Sequence, residues 1–235
     1  MAVIHNTTLT PSKLELIAAW LPTRPWYLGT AEPELDKAGG FRLDDPEGAV
    51  GIEFMAVRDT SGTEPVTYLV PLTYRDAPLD GTEHALLGTT THGVLGQRWV
   101  YDGANDPVLA AQLLALVVGE AEPQAQGVSD TPDPSVVGWS ADPGHAAAGA
   151  GLSAVTDGPH GSDLLVQTPT GRLALRIPRV LRPEDPEHPE NSESSGSSGS
   201  SGSSEEALGH VTANWRLPDG AQARGRFAVV RGAVE

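Results

Sequence analysis

The chain has 235 residues, no cysteine, 27 glycines, 20 prolines and a formal net charge of −16 at pH 7. That length supports one large hydrophobic core or two small ones, and the missing thiols exclude disulfides, thiolate nucleophiles and cysteine-based zinc sites, so packing must hold the fold. A surface this negative repels phosphate backbones and anionic lipid headgroups, whose binding needs clustered Lys and Arg, which argues against nucleic acid and membrane as partners.

In chain order, the N-terminal MAVIHNTTL has neither a basic region nor a long apolar one, and the expected compartment is the cytoplasm. The first helix is expected with Thr10 as its cap and Pro11 at its first position. Leu14, Ile17, Ala18 and Leu21 recur at i, i+3, i+4, i+7, and Pro22 ends it. Thr23 to Gly29 sets Trp26 and Tyr27 among prolines and a glycine, as a rigid turn does. A meander follows, with strands Phe41 to Leu43, Val50 to Arg58 and Val66 to Tyr74 separated by Asp44 to Gly48 and by Ser61-Gly62.

In the second of these strands Ile52, Phe54 and Ala56 share one face, and Gly51, Glu53, Met55 and Val57 the other. The alternation is half clean, so one side is expected to be incompletely covered, with Glu53 on the wet face. Arg98 to Asp102 reads as a further strand. Asn105 or Asp106 with Pro107 then opens a second helix through Val118, buried along Leu109, Leu113, Leu116 and Val117 and stopped by Gly119. The apolar run Val108 to Val118 is about half of what spans a bilayer.

Between Glu120 and His160 the composition shifts to Gly, Ala, Pro, Asp and Ser around Trp139, which predicts an irregular surface connection. Strands resume at Leu164 to Gln167 and Arg172 to Leu181 across Pro169-Thr170-Gly171, and again at Val211 to Leu217 and Gln222 to Arg231 across Pro218-Asp219-Gly220. Between these two expected hairpins, 183–206 is Pro-, Ser-, Gly- and acid-rich with nothing to bury, and is expected to be a disordered loop spanning on the order of 25–30 Å. The expected division is therefore 1–125, an irregular connection 126–160, and an antiparallel β unit 161–235.

Several words of the first half carry a resemblance. LPTRPWYLG, GGFRLDDPEGAVGIEFM, YLVPLTYR, EHALLGT and RWVYDGANDP, in that order, resemble the N-terminal cap of actinobacterial maltokinases and related sugar kinases. The resemblance implies an α+β fold, an antiparallel sheet meander packed by two helices, here extended by two C-terminal β-hairpins. In that family the cap sits over the ATP-binding lobe of a kinase. No His-x-Asp word, no Asp-Phe-Gly word and no Gly-Lys-Ser/Thr ending follows, although phosphoryl transfer needs an Asp base and carboxylate ligands for Mg²⁺, and the residues after Glu120 are few for a kinase C-lobe.

The expectation is thus a non-catalytic accessory or regulatory protein of α-glucan, trehalose and maltose metabolism. It would bind a sugar kinase or another enzyme of that pathway, with no catalytic residue, metal or cofactor assigned. The alternative is a carbohydrate- or sugar-phosphate-binding module. A component of a maltokinase-type or glucan-branching activity is a third reading, and no barrel pattern supports the latter.

Trp26, Tyr27, Trp99, Tyr101 and His92 form the candidate partner or ligand surface, since Trp and Tyr anchor interfaces and their faces stack on sugars. Gly88 to Gly96 reads as a phosphate loop or as a tight turn. His84 and His92 with Asp102 or Asp106 read as a metal or acid–base group, or as polar residues satisfying turns. Arg172, Arg176, Arg179, Arg182, Arg224 and Arg226 read as an anion patch, or as partners for the protein's own carboxylates.

Overall fold

The computed structural model describes residues 9–142, 148–184 and 207–233. Strand β1 (Leu9–Thr10) leads into helix α1 (Lys13–Trp20), whose cap is Ser12. Ser12 Oγ accepts from the Glu15 amide while the Ser12 amide donates to Glu15 Oε2, a reciprocal capping box. This corrects Thr10 as the cap: Thr10 is held in β1, and only Ser12 has a Glu three residues on to close the box.

Three segments of the meander are longer than expected, β2 (Leu35–Leu43), β4 (Val66–Arg75) and β6 (Gly96–Asp102), and β3 (Gly51–Asp59) is shifted by one residue. Between β4 and β6 lies β5 (Leu86–His92), which pairs antiparallel with β6, so the glycine-rich word at 88–96 is a strand and a hairpin turn rather than a phosphate loop. Helix α2 (Pro107–Val117) begins behind Asp106, whose carboxylate accepts from the Val108 amide, and ends at Gly119, whose φ of +80° suits glycine.

The stretch 126–160 departs from the irregular connection expected. After β7 (Gln124–Ala125) it forms β8 (Val137–Ser140) and β9 (Gly151–Gly158). Trp139 is 47% exposed and stacks on His210 at 5.2 Å. Strands β10 (Gly161–Thr168), β11 (Gly171–Pro178), β12 (Gly209–Arg216) and β13 (Gln222–Gly232) complete the described chain. The Ser/Gly/acidic loop expected at 183–206 falls, from residue 185 on, outside the described residues.

All of these strands join one antiparallel sheet in the order β1-β5-β6-β4-β3-β2-β12-β13-β11-β10-β9, with β7 on β2 and β8 on β12. A mostly antiparallel sheet with two short helices is consistent with the α+β class. Beyond β11 the chain returns to β4: the Leu69 amide donates to the Arg179 carbonyl at 2.9 Å and the Leu181 amide to the Thr67 carbonyl at 2.8 Å. The path β4-β3-β2-β12-β13-β11 therefore closes on itself, which removes edges that would otherwise stay unpaired.

Closure gives β3 and β4 two buried faces. On one, Phe41 stacks on Phe54 at 4.7 Å and meets Phe227 at 5.8 Å, with Leu109 and Leu113 of α2 in the same cluster. On the other, Met55, Val57, Tyr68 and Val70 pack against Leu16, Ile17 and Trp20 of α1. The half-wet alternation expected of β3 is corrected accordingly, because α1 covers the second face. No helix among the described residues is long and apolar enough to cross a membrane.

Candidate functional site

On β3, Ile52, Phe54 and Ala56 enter the larger core, so the pleat turns Glu53, with Met55 and Val57, toward α1. Glu53 is 3% exposed, which corrects its expected place on a wet face and demands that its charge be paired. Three donors meet it: Lys13 Nζ at 2.6 Å and the Tyr74 hydroxyl at 2.7 Å, both to Oε2, and Gln126 Nε2 at 2.8 Å to Oε1. Burial pushes the carboxyl up, but the Lys13 charge and these hydrogen bonds outweigh it and hold Glu53 below its ordinary range. The Tyr74 hydroxyl is raised well above its ordinary value by burial and by the Glu53 charge it bonds.

Beside this carboxylate lies a cavity of about 290 Å³. Leu9, Leu14 and Met55 give it apolar wall, and Ser12, Lys13 and Lys37 give it donors. Lys13, the first residue of α1, also stands 5.3 Å over the Tyr74 ring. Further cations surround the site. Arg42 is the cross-strand partner of Glu53, and Arg216 Nη2 donates to the Lys37 carbonyl at 3.4 Å. Although Lys37 is an exposed residue, partial loss of water around its ammonium lowers it most, with Lys13, Arg216 and Arg42 adding to the effect while Glu53 opposes it. The arrangement holds its acceptor carboxylate filled and its ammonium donors in excess.

The residues singled out in the sequence do not assemble into one surface. Trp26 is fully buried, edge-on to Trp20 at 5.6 Å and beneath the Arg179 guanidinium at 4.9 Å, so it is a core residue. Tyr27, half-buried, donates its hydroxyl to Asp59 Oδ2 at 2.7 Å and lies 5.4 Å from the Tyr68 ring; burial and Asp59 raise its hydroxyl pKa. Tyr101 is 2% exposed, and its oxygen accepts from the Leu79 amide. These placements correct Trp26 and Tyr101 as surface anchors, because the closed sheet and α1 enclose them. Trp99 is half-buried on β6. His92 Nδ1 accepts from the amides of Val94 and Leu95, at 3.2 and 3.0 Å, and so braces the tip of the β5–β6 hairpin.

The acid–base grouping also separates. His84 Nε2 is 3.2 Å from Asn105 Oδ1, Asp106 takes a two-pronged bond from Arg75, and Asp102 is buried against Arg179, with Nη2 to Oδ2 at 2.6 Å. Among the described residues no three His, Asp or Glu side chains gather as a metal site. The arginines are largely engaged by the protein itself: Arg176 with Asp163, Arg226 with Glu184, Arg224 with Thr212 and the Ser135 carbonyl, and Arg179 with Asp102 and Ser162. Burial raises the Asp102 carboxyl although Arg179 pulls the other way.

Sequence reasoning missed Lys13, Lys37 and Gln126 as a group around Glu53. The available signal was Glu53 itself, a charge inside the apolar run IEFMAV.

The family model of the maltokinase N-terminal cap domain matches residues 20–106. A comparison with curated proteins returned no match. The matched stretch runs from the last residue of α1 to the cap of α2 and holds β2 to β6. Glu53 and Lys37 lie within it, whereas Lys13 and Gln126 lie outside.

Proposed function

We propose that this chain is a cap-type accessory protein that acts by binding a sugar kinase or another enzyme of α-glucan, trehalose or maltose metabolism in the cytoplasm, and does not itself transfer phosphate. The observation that carries this reading is the match of residues 20–106 to the maltokinase cap, a module named for its association with a kinase. The sequence adds support, since it holds no His-x-Asp or Asp-Phe-Gly word from which a phosphoryl-transfer centre is built.

Within the matched stretch, the hairpin tip braced by His92 presents Val94 and Leu95, 62% and 45% exposed, close in sequence to the half-buried Trp99. Apolar side chains held out on a hairpin tip gain nothing in the isolated chain and suit a protein partner, and the cap match favours a kinase or a related enzyme as that partner.

Isothermal titration of the purified chain against a maltokinase-type kinase and against the glycosyl-transfer enzymes of the same metabolism tests the reading. A saturable complex is expected with at least one of them, weakened tenfold or more by Leu95→Asp with the fold intact by circular dichroism. Equal binding by wild type and variant, or no complex with any of them, would refute it.

A further inference from the structure

From the donor and acceptor balance around Glu53 we infer that the cavity beside α1 is a binding site for a small organic anion, held by Lys13 and Lys37. Glu53 is already served by three donors, Lys13, Tyr74 and Gln126, and a single cation balances its charge. If the surrounding cations served only to neutralise it, Lys13 would suffice. Yet Lys37 also lines the cavity, with Arg42 across the strand pair from Glu53 and Arg216 bonded to the Lys37 carbonyl. This is a local excess of positive charge in a chain of net charge −16.

The ammonium of Lys37 makes no hydrogen bond or ion pair among the described residues. Lys13 uses one of its three N–H groups on Glu53 Oε2. Ser12 Oγ accepts from the Glu15 amide and keeps its hydroxyl hydrogen to give. What the cavity lacks is acceptors. A phosphate or carboxylate supplies them and forms the charge-assisted bonds that such donors favour. Neighbouring cations act against the charge on Lys37, and an arriving anion offsets them.

Size narrows the class. A cavity of about 290 Å³ is at the small end of ligand pockets, roughly 300–1,000 Å³. It suits a monosaccharide phosphate or a sugar acid. Leu9, Leu14 and Met55 offer the body of such a ligand an apolar wall, and no aromatic platform lines the site. Its residues lie on both sides of Trp20, where the cap match begins.

The test is calorimetric titration of the whole chain with glucose 1-phosphate, gluconate, glucose and inorganic phosphate, at low and high salt. Saturable binding of an organic anion and not of glucose is expected, weakening with salt. Lys37→Met, an exposed position whose side chain holds no other group, should weaken it at least tenfold with an unchanged circular dichroism spectrum. Glucose 1-phosphate without gluconate would assign a phosphate head, and the reverse a carboxylate. The inference fails if none of the anions saturates, or if Lys37→Met binds as wild type does. It stands apart from the partner reading, because Leu95→Asp leaves this site whole.

Discussion

Glu53 shows how one residue ties distant parts of the chain together. Its partners Lys13 and Gln126 come from 40 positions before it and 73 after it, and each replaces water the buried carboxylate has lost. Because its folded pKa is depressed, Glu53 contributes stability above the ordinary glutamate range, and that contribution disappears as pH falls through the folded value. Lys13→Met removes the strongest opposing charge and leaves burial to dominate. The carboxyl should then titrate above its ordinary range, and stability should fall as pH rises through that window. Carboxyl-carbon NMR of both proteins, with denaturant unfolding at several pH values, checks the reversal. A Glu53 that titrates alike in both would contradict it.

At the scale of elements, α1 and α2 differ in how openly the sequence declares them. For α2, Asp106-Pro107 and Gly119 mark the ends and the leucines mark the face, all within one local stretch, and the structure agrees to a residue at the C-terminus. For α1 the expected cap is Thr10, and the Ser12-Lys13-Leu14-Glu15 box moves it to Ser12. Strand β9 was not legible, because GLSAVTDG alternates weakly and its pairing with β10 sets it. Strand β8 is fixed by close approach: a Cβ at Gly138 would press into the Leu116 carbonyl of α2. Gly138→Ala must therefore push β8 from α2, at an expected cost of about 1–3 kcal/mol. Urea unfolding measures it, and an unchanged midpoint would show that the two elements yield freely.

At the scale of the whole molecule, the matched cap segment is not a self-contained layer. Its β4 is bonded to Thr67's partner Leu181 and to Arg179, its β2 touches β12 at Gly39 and Trp215, and its Phe41 and Phe54 share a cluster with Phe227. A fragment of residues 20–106 would expose that cluster and lose both helices. It should show no cooperative thermal transition, whereas the full chain should show one; a sharp transition in the fragment would contradict the closed-sheet account. The words that carry the cap resemblance were legible because they are contiguous. The charged pocket was not, since it depends on α1 packing on β3, and the buried Asp102–Arg179 pair was not, since the return of the chain to β4 brings it together.

Whether the chain works through an enzyme partner is decided by parallel affinity capture from a lysate of its source cells. Tagged wild type and Leu95→Asp serve as baits, and quantitative mass spectrometry reads what each retains. The prediction is that wild type enriches a sugar kinase or another enzyme of α-glucan, trehalose or maltose metabolism and that Leu95→Asp loses it. Retention of the same proteins by both baits, or of no enzyme of that metabolism by either, would contradict it.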